Sequence, residues 1–184
     1  MAHVAIVGGG PAGLSTALFA AKNGLETTVF DTDETAMHYA HLFNYPAVES
    51  IGGDEFVERA RAQIEEYGAE RREEEVTAIE TNGSGFVVKT DDGGIAADYV
   101  VLASGQSRGL ADGLGCDRND DGTVRVDVNM RTGVDGVYAA GWVARKDKVQ
   151  AAISVGDGAA AALDILSAEK GKPFHDFDTP ESVE

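Results

Sequence analysis

The chain opens on an apolar run, Val4-Ala5-Ile6-Val7, that leads into Gly8-Gly9-Gly10-Pro11-Ala12-Gly13. A buried strand that ends in a GxGxxG turn and continues as a helix leaves few folds open. Gly8 permits the tight strand-to-helix turn, Gly10 lets backbone amides approach a pyrophosphate, and Gly13 lets the helix pack closely on the sheet. The helix expected over residues 14–23, closed by Gly24, starts with unpaired amides and a partial positive charge that favour an anion. The next strand, Thr27-Thr28-Val29-Phe30, ends on Asp31. That is about the 20-residue spacing expected of a carboxylate accepting hydrogen bonds from an adenosine ribose. A glycine turn kept for packing alone leaves the position of Asp31 unexplained. The order strand, GxGxxG, helix, strand, acid therefore reads as a dinucleotide-binding unit.

Composition narrows the partners. The chain has 184 residues, room for one domain with a sizeable core, and a net charge of -17 from 32 acidic against 15 basic residues. Nucleic acid and anionic membrane surfaces are disfavoured, because phosphates are repelled and no basic patch breaks the pattern. The acids are spread along the whole chain, and Glu73-Glu74-Glu75 reads as a solvated loop or helix end. Abundant Asp and Glu with six lysines is the balance of proteins that keep their fold in concentrated salt, where self-repulsion is screened. The single cysteine, Cys116, allows neither an intramolecular disulfide nor a CxxC motif. Met1-Ala2-His3 leads straight into the first strand, and no apolar run reaches the roughly 20 residues of a membrane span. A cytoplasmic protein is expected.

Along the rest of the chain, residues 33–50 read as loop with a short helical piece. A helix over 54–67 places Phe56, Val57, Ala60, Ile64 and Tyr67 on one stripe and stops at Gly68. Residues 74–80 read as a strand. Residues 85–90 and 95–103 form two more strands around the turn 91–94, the second ending in an apolar run suited to a parallel sheet buried on both faces. Residues 104–122 read as loop, 123–127 as an exposed strand, 136–140 as a short buried strand, and 151–168 as a helix. The expected fold is α/β, a Rossmann-like central parallel sheet with helices on its faces and a small β-meander. Residues 1–169 form the single domain, and 170–184 a loosely held tail.

In this order the motifs resemble the FAD-binding domain of the thioredoxin reductase family of two-dinucleotide-fold flavoproteins. The resemblance spans about residues 3–168. It rests on the Gly8 to Gly13 turn with Asp31, on Asn44-Tyr45-Pro46, on the acid-rich strand at Val76, on Ala103-Ser104-Gly105, and on Gly136-Val137-Tyr138-Ala139-Ala140-Gly141 followed by Gln150-Ala151-Ala152-Ile153-Ser154-Val155-Gly156-Asp157-Gly158 opening a helix. It implies FAD as cofactor, with Gly8, Gly10, Pro11, Ala12 and Gly13 at the pyrophosphate. It further implies Asp31 at the adenosine ribose and the Val76 backbone at the adenine. Asn44, Ser104, Gly105, Gly141, Gln150 and Ala151 would line the flavin pocket. Asn44 before Tyr-Pro is equally read as a turn former, and Gln150 as the start of its helix.

The chain departs from that family in two places. The full-length family inserts an NADPH-binding domain with a redox-active CxxC between these last two turns, whereas here Gly105 and Gly136 are separated by the 30 residues 106–135. No second glycine fingerprint or cysteine pair fits there, so the family's route for NADPH and its dithiol exchange are not expected. Trp142 stands where the family has an Asp that hydrogen-bonds the ribityl chain. An indole has one donor and no acceptor; it either flanks the cofactor or fills its space. No catalytic triad, metal cluster or acid-base pair stands out. His38 and His41 precede Asn44 and read as loop histidines with a pKa suited to proton relay.

These residues point to an FAD-binding oxidoreductase or electron carrier. Its electrons come from an external donor, NAD(P)H or a separate reductase, and pass to an acceptor the residues do not identify. Dimerisation is common among the larger relatives, so a homodimer is one state open to the chain, and the apolar helix 151–168 suits core or interface equally. The alternatives are a non-catalytic nucleotide-binding or interaction module with a degenerate flavin site, and a plain NAD-binding domain. The acid excess carries its own prediction. Far-ultraviolet circular dichroism recorded in molar KCl and after dialysis into dilute buffer should show helical signal in the first and its loss in the second; equal spectra would reject salt dependence.

Overall fold

The computed structural model describes residues 1–83 and 85–179. Strands β1 (His3–Val7), β2 (Glu26–Phe30), β5 (Glu70–Arg72), β9 (Tyr99–Leu102) and β10 (Val137–Ala139) form one sheet in the order β10-β9-β1-β2-β5. Every pairing in it is parallel. The first strand is thus the middle one, and Val4, Ala5 and Ile6 have no solvent exposure. Alternation along it assigns the two faces. Val4 and Ile6 belong to a core shared with helices α1 (Pro11–Lys22), α2 (Gly53–Glu66) and α4 (Ala151–Lys170). Ala5 and Val7 belong to a second core, closed by an antiparallel meander of β6 (Val76–Asn82), β7 (Gly85–Thr90) and β8 (Gly93–Ala97) and by the short α3 (Gly109–Gly113). A two-stranded ribbon, β3 (His41–Leu42) with β4 (Ile51–Gly52), precedes α2.

Several boundaries differ from the sequence expectation, each for a physical reason. The helix after the glycine turn begins at Pro11, three residues early, because proline's fixed φ and missing N–H suit the first helical position. The run 95–103 is not one strand. It breaks at Asp98, whose amide donates to His3 O at 2.9 Å and whose carboxylate accepts from His3 N at 2.8 Å, turning the chain from the meander into the parallel sheet. The expected strand 123–127 makes only an isolated bridge, Val124 to Arg118, and bends away where Asp127 Oδ1 accepts from Asn129 N and Arg131 N. Its Thr123 and Val124 are buried, with Thr123 O accepting from Asn119 N at 2.9 Å and Val124 N donating to Val143 O at 3.0 Å, but the pairing does not extend beyond the one bridge. Edge strand β5 is charged throughout and carries no apolar signal; it is held by its backbone ladder with β2, with Thr28 Oγ1 donating to Glu70 Oε2 at 3.5 Å beside it. Residues 109–113 form α3 inside the expected loop.

Helix α4 runs two residues past 168 and ends on Gly171 in the left-handed conformation, φ 62°. With 20 residues and a mean hydropathy of 1.3 it is long and apolar enough to cross a membrane, which the sequence reading did not anticipate. Its apolar side is instead occupied by α1. The two helices cross so closely that a Cβ on Gly158 would lie 2.1 Å from Ala12 O, and Thr16 Oγ1 donates to Ala12 O at 2.9 Å and to Gly158 O at 3.1 Å. The segment after α4, expected to be loose, turns back over α1, where Lys22 Nζ meets Asp176 at 2.9 Å and Asp178 at 2.5 Å. These two carboxylates push the Lys22 pKa up to about 12. Residues 180–184 of the expected tail lie outside the described residues.

The helix crossing generates a paired prediction. Gly158→Ala should destabilise the protein by about 1–3 kcal/mol through overpacking against the α1 backbone. Gly156→Ala, in the same helix but facing open space, should stabilise it by about 1 kcal/mol through helix propensity. Urea unfolding at fixed salt reads both, and equal midpoints would refute the close contact.

Candidate functional site

Because β1, β2, β9 and β10 are parallel, their C-terminal ends all open on one edge of the sheet, the edge where ligands bind in open α/β folds. Four short turns follow those ends. After β1, Gly8 adopts φ 115° and its amide donates to Phe30 O at 2.8 Å; a Cβ here would lie 2.3 Å from Ala103 O. Gly13 touches the same turn, since its Cβ would fall 1.9 Å from Gly8 O. After β2 comes Asp31, only 2% exposed. After β9 come Ser104, whose Oγ donates to Ser107 O at 2.7 Å, and Gly105 at φ 58°. After β10 come Gly141 at φ 76° and Trp142, in a short 3-10 turn, Gly141–Ala144.

These turns enclose a cleft of about 700 Å³, within the size range of small-molecule sites. Gly8, Gly10, Pro11 and Ala12, at the start of α1, line it, as do Asp31 after β2 and Val76 at the start of β6. Ser104, Gly105, Gly141 and Trp142 line it too, with Gln150 and Ala151 at the start of α4. Two helices therefore begin at the cleft, and neither α1 nor α4 has a side-chain cap or an acidic residue in its first turn. Their leading amides remain free to bind an anion. That arrangement, a glycine-lined floor under two uncapped helix ends with a buried carboxylate beyond, fits an elongated diphosphate-containing ligand.

Of the residues singled out from sequence, Gly13 and Asn44 stand outside the lining. Gly13 serves by close packing. Asn44 sits at the rim, where its Nδ2 donates to Gln150 Oε1 at 2.9 Å and ties the loop before β4 to the start of α4. Trp142 is half-buried, and Arg108 Nη2 donates to its carbonyl at 3.5 Å. The histidines do not reach the cleft. His38 bridges Asp54, Nδ1 to Oδ1 at 2.5 Å, and Asp33, Nε2 to Oδ1 at 3.0 Å; Asp54 first and then Asp33 raise its pKa. His41 hydrogen-bonds Ser50 Oγ at 2.7 Å and stacks on Phe43. Among the described residues no cluster of His, Cys, Asp and Glu is placed to hold a metal ion.

Sequence reasoning missed three contributors. Gly9 must lack a side chain, since its Cβ would lie 2.0 Å from the Asp31 carboxylate carbon. The triple glycine was its only signal. Arg61, on α2, donates Nε to Asp31 Oδ2 at 2.9 Å and Nη2 to Asp33 Oδ1 at 2.5 Å. It holds the Asp33 carboxyl below the usual carboxylate range. Asp157, 5% exposed on α4, accepts from Gly141 N at 3.3 Å and pairs in bidentate fashion with Arg145, both contacts at 2.6 Å. It braces the Gly141 turn from below. Arg61 lies in no motif, and Asp157 lies inside the Gln150 to Gly158 run, which marked the start of the helix and not this carboxylate.

Comparison with known proteins agrees with this geometry. Residues 2–108 and 53–156 match the family model described as pyridine nucleotide-disulphide oxidoreductase. The thioredoxin reductase of Streptomyces coelicolor is 31% identical over 172 residues, covering 90% of this chain and 50% of that protein. That of Treponema pallidum is 38% identical over 106 residues, 55% of this chain and 34% of its own length. The chain thus spans about a third to a half of the length of these curated relatives. Among solved structures, a thioredoxin reductase from Gloeobacter violaceus superposes with a TM-score of 0.86 at 21% identity, over 97% of this chain and 99% of that chain. The atypical thioredoxin reductase TRi from Desulfovibrio vulgaris Hildenborough gives 0.83 at 22% identity, over 95% and 100%. At such identities the superpositions speak for the fold. With the family model matched over most of the chain, the glycine turn, the parallel sheet and the cleft at its C-terminal edge are those of the pyridine nucleotide-disulphide oxidoreductase family, FAD-binding flavoproteins to which this chain belongs.

Proposed function

We propose that this chain holds FAD as a thioredoxin-reductase-like flavin domain and works as an oxidoreductase or electron carrier, reduced by an external donor, NAD(P)H or a separate reductase. The observation that carries the reading is the single cleft that joins the Gly8 to Ala12 floor and Asp31 to the Ser104-Gly105 and Gly141-Trp142 turns. The first group suits the adenosine diphosphate half of FAD and the second the flavin half. When bound, the isoalloxazine takes up and returns two electrons, and the protein's part is to hold, orient and shield it.

In this reading the free amides at the start of α1 take the pyrophosphate, and Asp31 takes the adenosine ribose. The Val76 backbone borders the adenine. Asn44, held to Gln150, closes the rim on the flavin side with Ala151. Trp142 flanks the cofactor with a flat apolar surface where the family's Asp would accept a hydrogen bond. Among the described residues no Cys, His, Lys or Arg lines the cleft. The 30 residues between Gly105 and Gly136 support an external donor: they form α3 and loop, and return directly to the sheet as β10. Cys116 is buried away from the cleft, and burial pushes its thiol pKa up. It is a packing residue of the second core.

Visible absorption of the purified protein, followed by chromatography of what denaturation releases, tests the reading. Flavin bands with FAD in the supernatant are expected, and FAD added to stripped protein should quench the emission of Trp142, the only tryptophan. A colourless protein that takes up no FAD would overturn the proposal and leave an interaction module. Anaerobic mixing with NADH or NADPH then reads the donor: bleaching supports free nicotinamide, and its absence points to a reductase. Reaction with Ellman's reagent should leave Cys116 unmodified in the native state and modify it fully after unfolding, because a buried thiol of raised pKa carries little thiolate.

A further inference from the structure

The Asp31 carboxylate sits in an unusual setting for a ligand-binding acid. It is almost fully buried, wedged against the Gly9 backbone, and lines the cleft. Its two oxygens are not equivalent. Oδ2 receives Arg61 from the α2 side, Nε at 2.9 Å and Nη2 at 2.7 Å, with Arg71 Nη1 at 3.9 Å behind. Oδ1 receives one donor, the amide of Asp33, at 2.9 Å. An ionised carboxylate accepts at about four lone-pair sites, so Oδ1 has acceptor capacity to spare and Oδ2 does not.

A carboxylate this deeply buried calls for a compensating cation. Arg61 supplies it without touching the cleft, since it is absent from the lining. Its guanidinium is itself held from the other side by Asp33, whose backbone at φ 60° closes the loop back onto Asp31. The planar fork thus locks one rotation of Asp31, which a lysine's point charge would do less well.

Resting on the dinucleotide reading above, we infer that Arg61 is the positioning residue of the nucleotide site: by occupying Oδ2 it turns Oδ1 of Asp31 to the cleft as the acceptor for the adenosine ribose hydroxyls. Removing Arg61 leaves the carboxylate free to rotate. The ribose contact is then lost while the phosphate contacts at α1 persist.

The test is calorimetric titration of the full chain with ADP and with 2′,3′-dideoxy-ADP, which lacks both hydroxyls. Arg61→Ala should weaken ADP binding about tenfold or more, in line with loss of a charge-assisted hydrogen bond, and leave dideoxy-ADP nearly unchanged. Arg61→Lys should recover part of the loss. In an Asp31→Asn background, Arg61→Ala should have no further effect on ADP, because the group it positions is already gone. Equal losses for the two nucleotides would overturn the inference, marking Arg61 as a support of the fold alone, and so would an unchanged ADP affinity. Should Arg61→Ala fail to fold, Arg61→Lys and Asp31→Asn carry the same comparison. A wild-type protein that binds ADP and dideoxy-ADP equally would remove Asp31 as ribose acceptor and this inference with it, while FAD uptake could stand. One that binds neither ADP nor FAD would overturn the dinucleotide reading itself.

Discussion

The contact of Gly13 with the carbonyl of Gly8 sets the geometry on which the rest depends. It is a backbone-on-backbone approach that leaves no room for a Cβ, and it brings α1 down onto the central strand of the sheet. From that placement α1 meets α4 across Ala12, Thr16 and Gly158, and α4 in turn delivers Gln150, Ala151 and Asp157 to the C-terminal edge of the sheet. Small residues at each crossing let three layers of backbone approach one another, and the cleft is the space left at their common end.

Parallel pairing does the remaining work of assembly. In a parallel sheet every strand exits on the same side, so turns distant in sequence gather without any dedicated contact among them. Ser104 and Gly141 reach the glycine floor in this way. The meander, by contrast, is antiparallel and local, and it serves to cover the opposite face of the sheet; among the described residues of its three strands only Val76, the first of β6, lines the cleft. The polar contacts that refine the site, Arg61 to Asp31, Asn44 to Gln150 and Asp157 to Gly141, are all made between these gathered pieces.

Charge is distributed with a similar division. Most acids are exposed, where pairs such as Arg59 with Glu55 contribute little individually. The two buried acids of the site, Asp31 and Asp157, each face an arginine, as burial of an ionised group demands. Cys116, the only thiol in the chain, is withdrawn into the core, which matches a cleft whose lining carries no cysteine.

The residues whose role is local were legible in the chain itself. Strand β1, the Gly8 to Gly13 turn and the acid after β2 follow from hydrophobic run, backbone freedom and spacing, and so does the apolar strand β9. Trp142 could be marked as a departure by position alone. Long-range pairing decided the rest. Charged β5 becomes a strand because β2 offers it a ladder, and residues 123–127 do not because their pairing stops at the single bridge to Arg118. Asp98 breaks an apparently continuous strand because His3 binds it from 95 residues away. Arg61 looks like any charge on the polar side of a helix until α2 is laid beside Asp31. The sequence by itself determined the dinucleotide-binding fold, because its motifs are set by contacts between near neighbours. Only the tertiary structure decided which side chains support the site, because a hydrogen bond between distant residues leaves no periodicity or spacing to read.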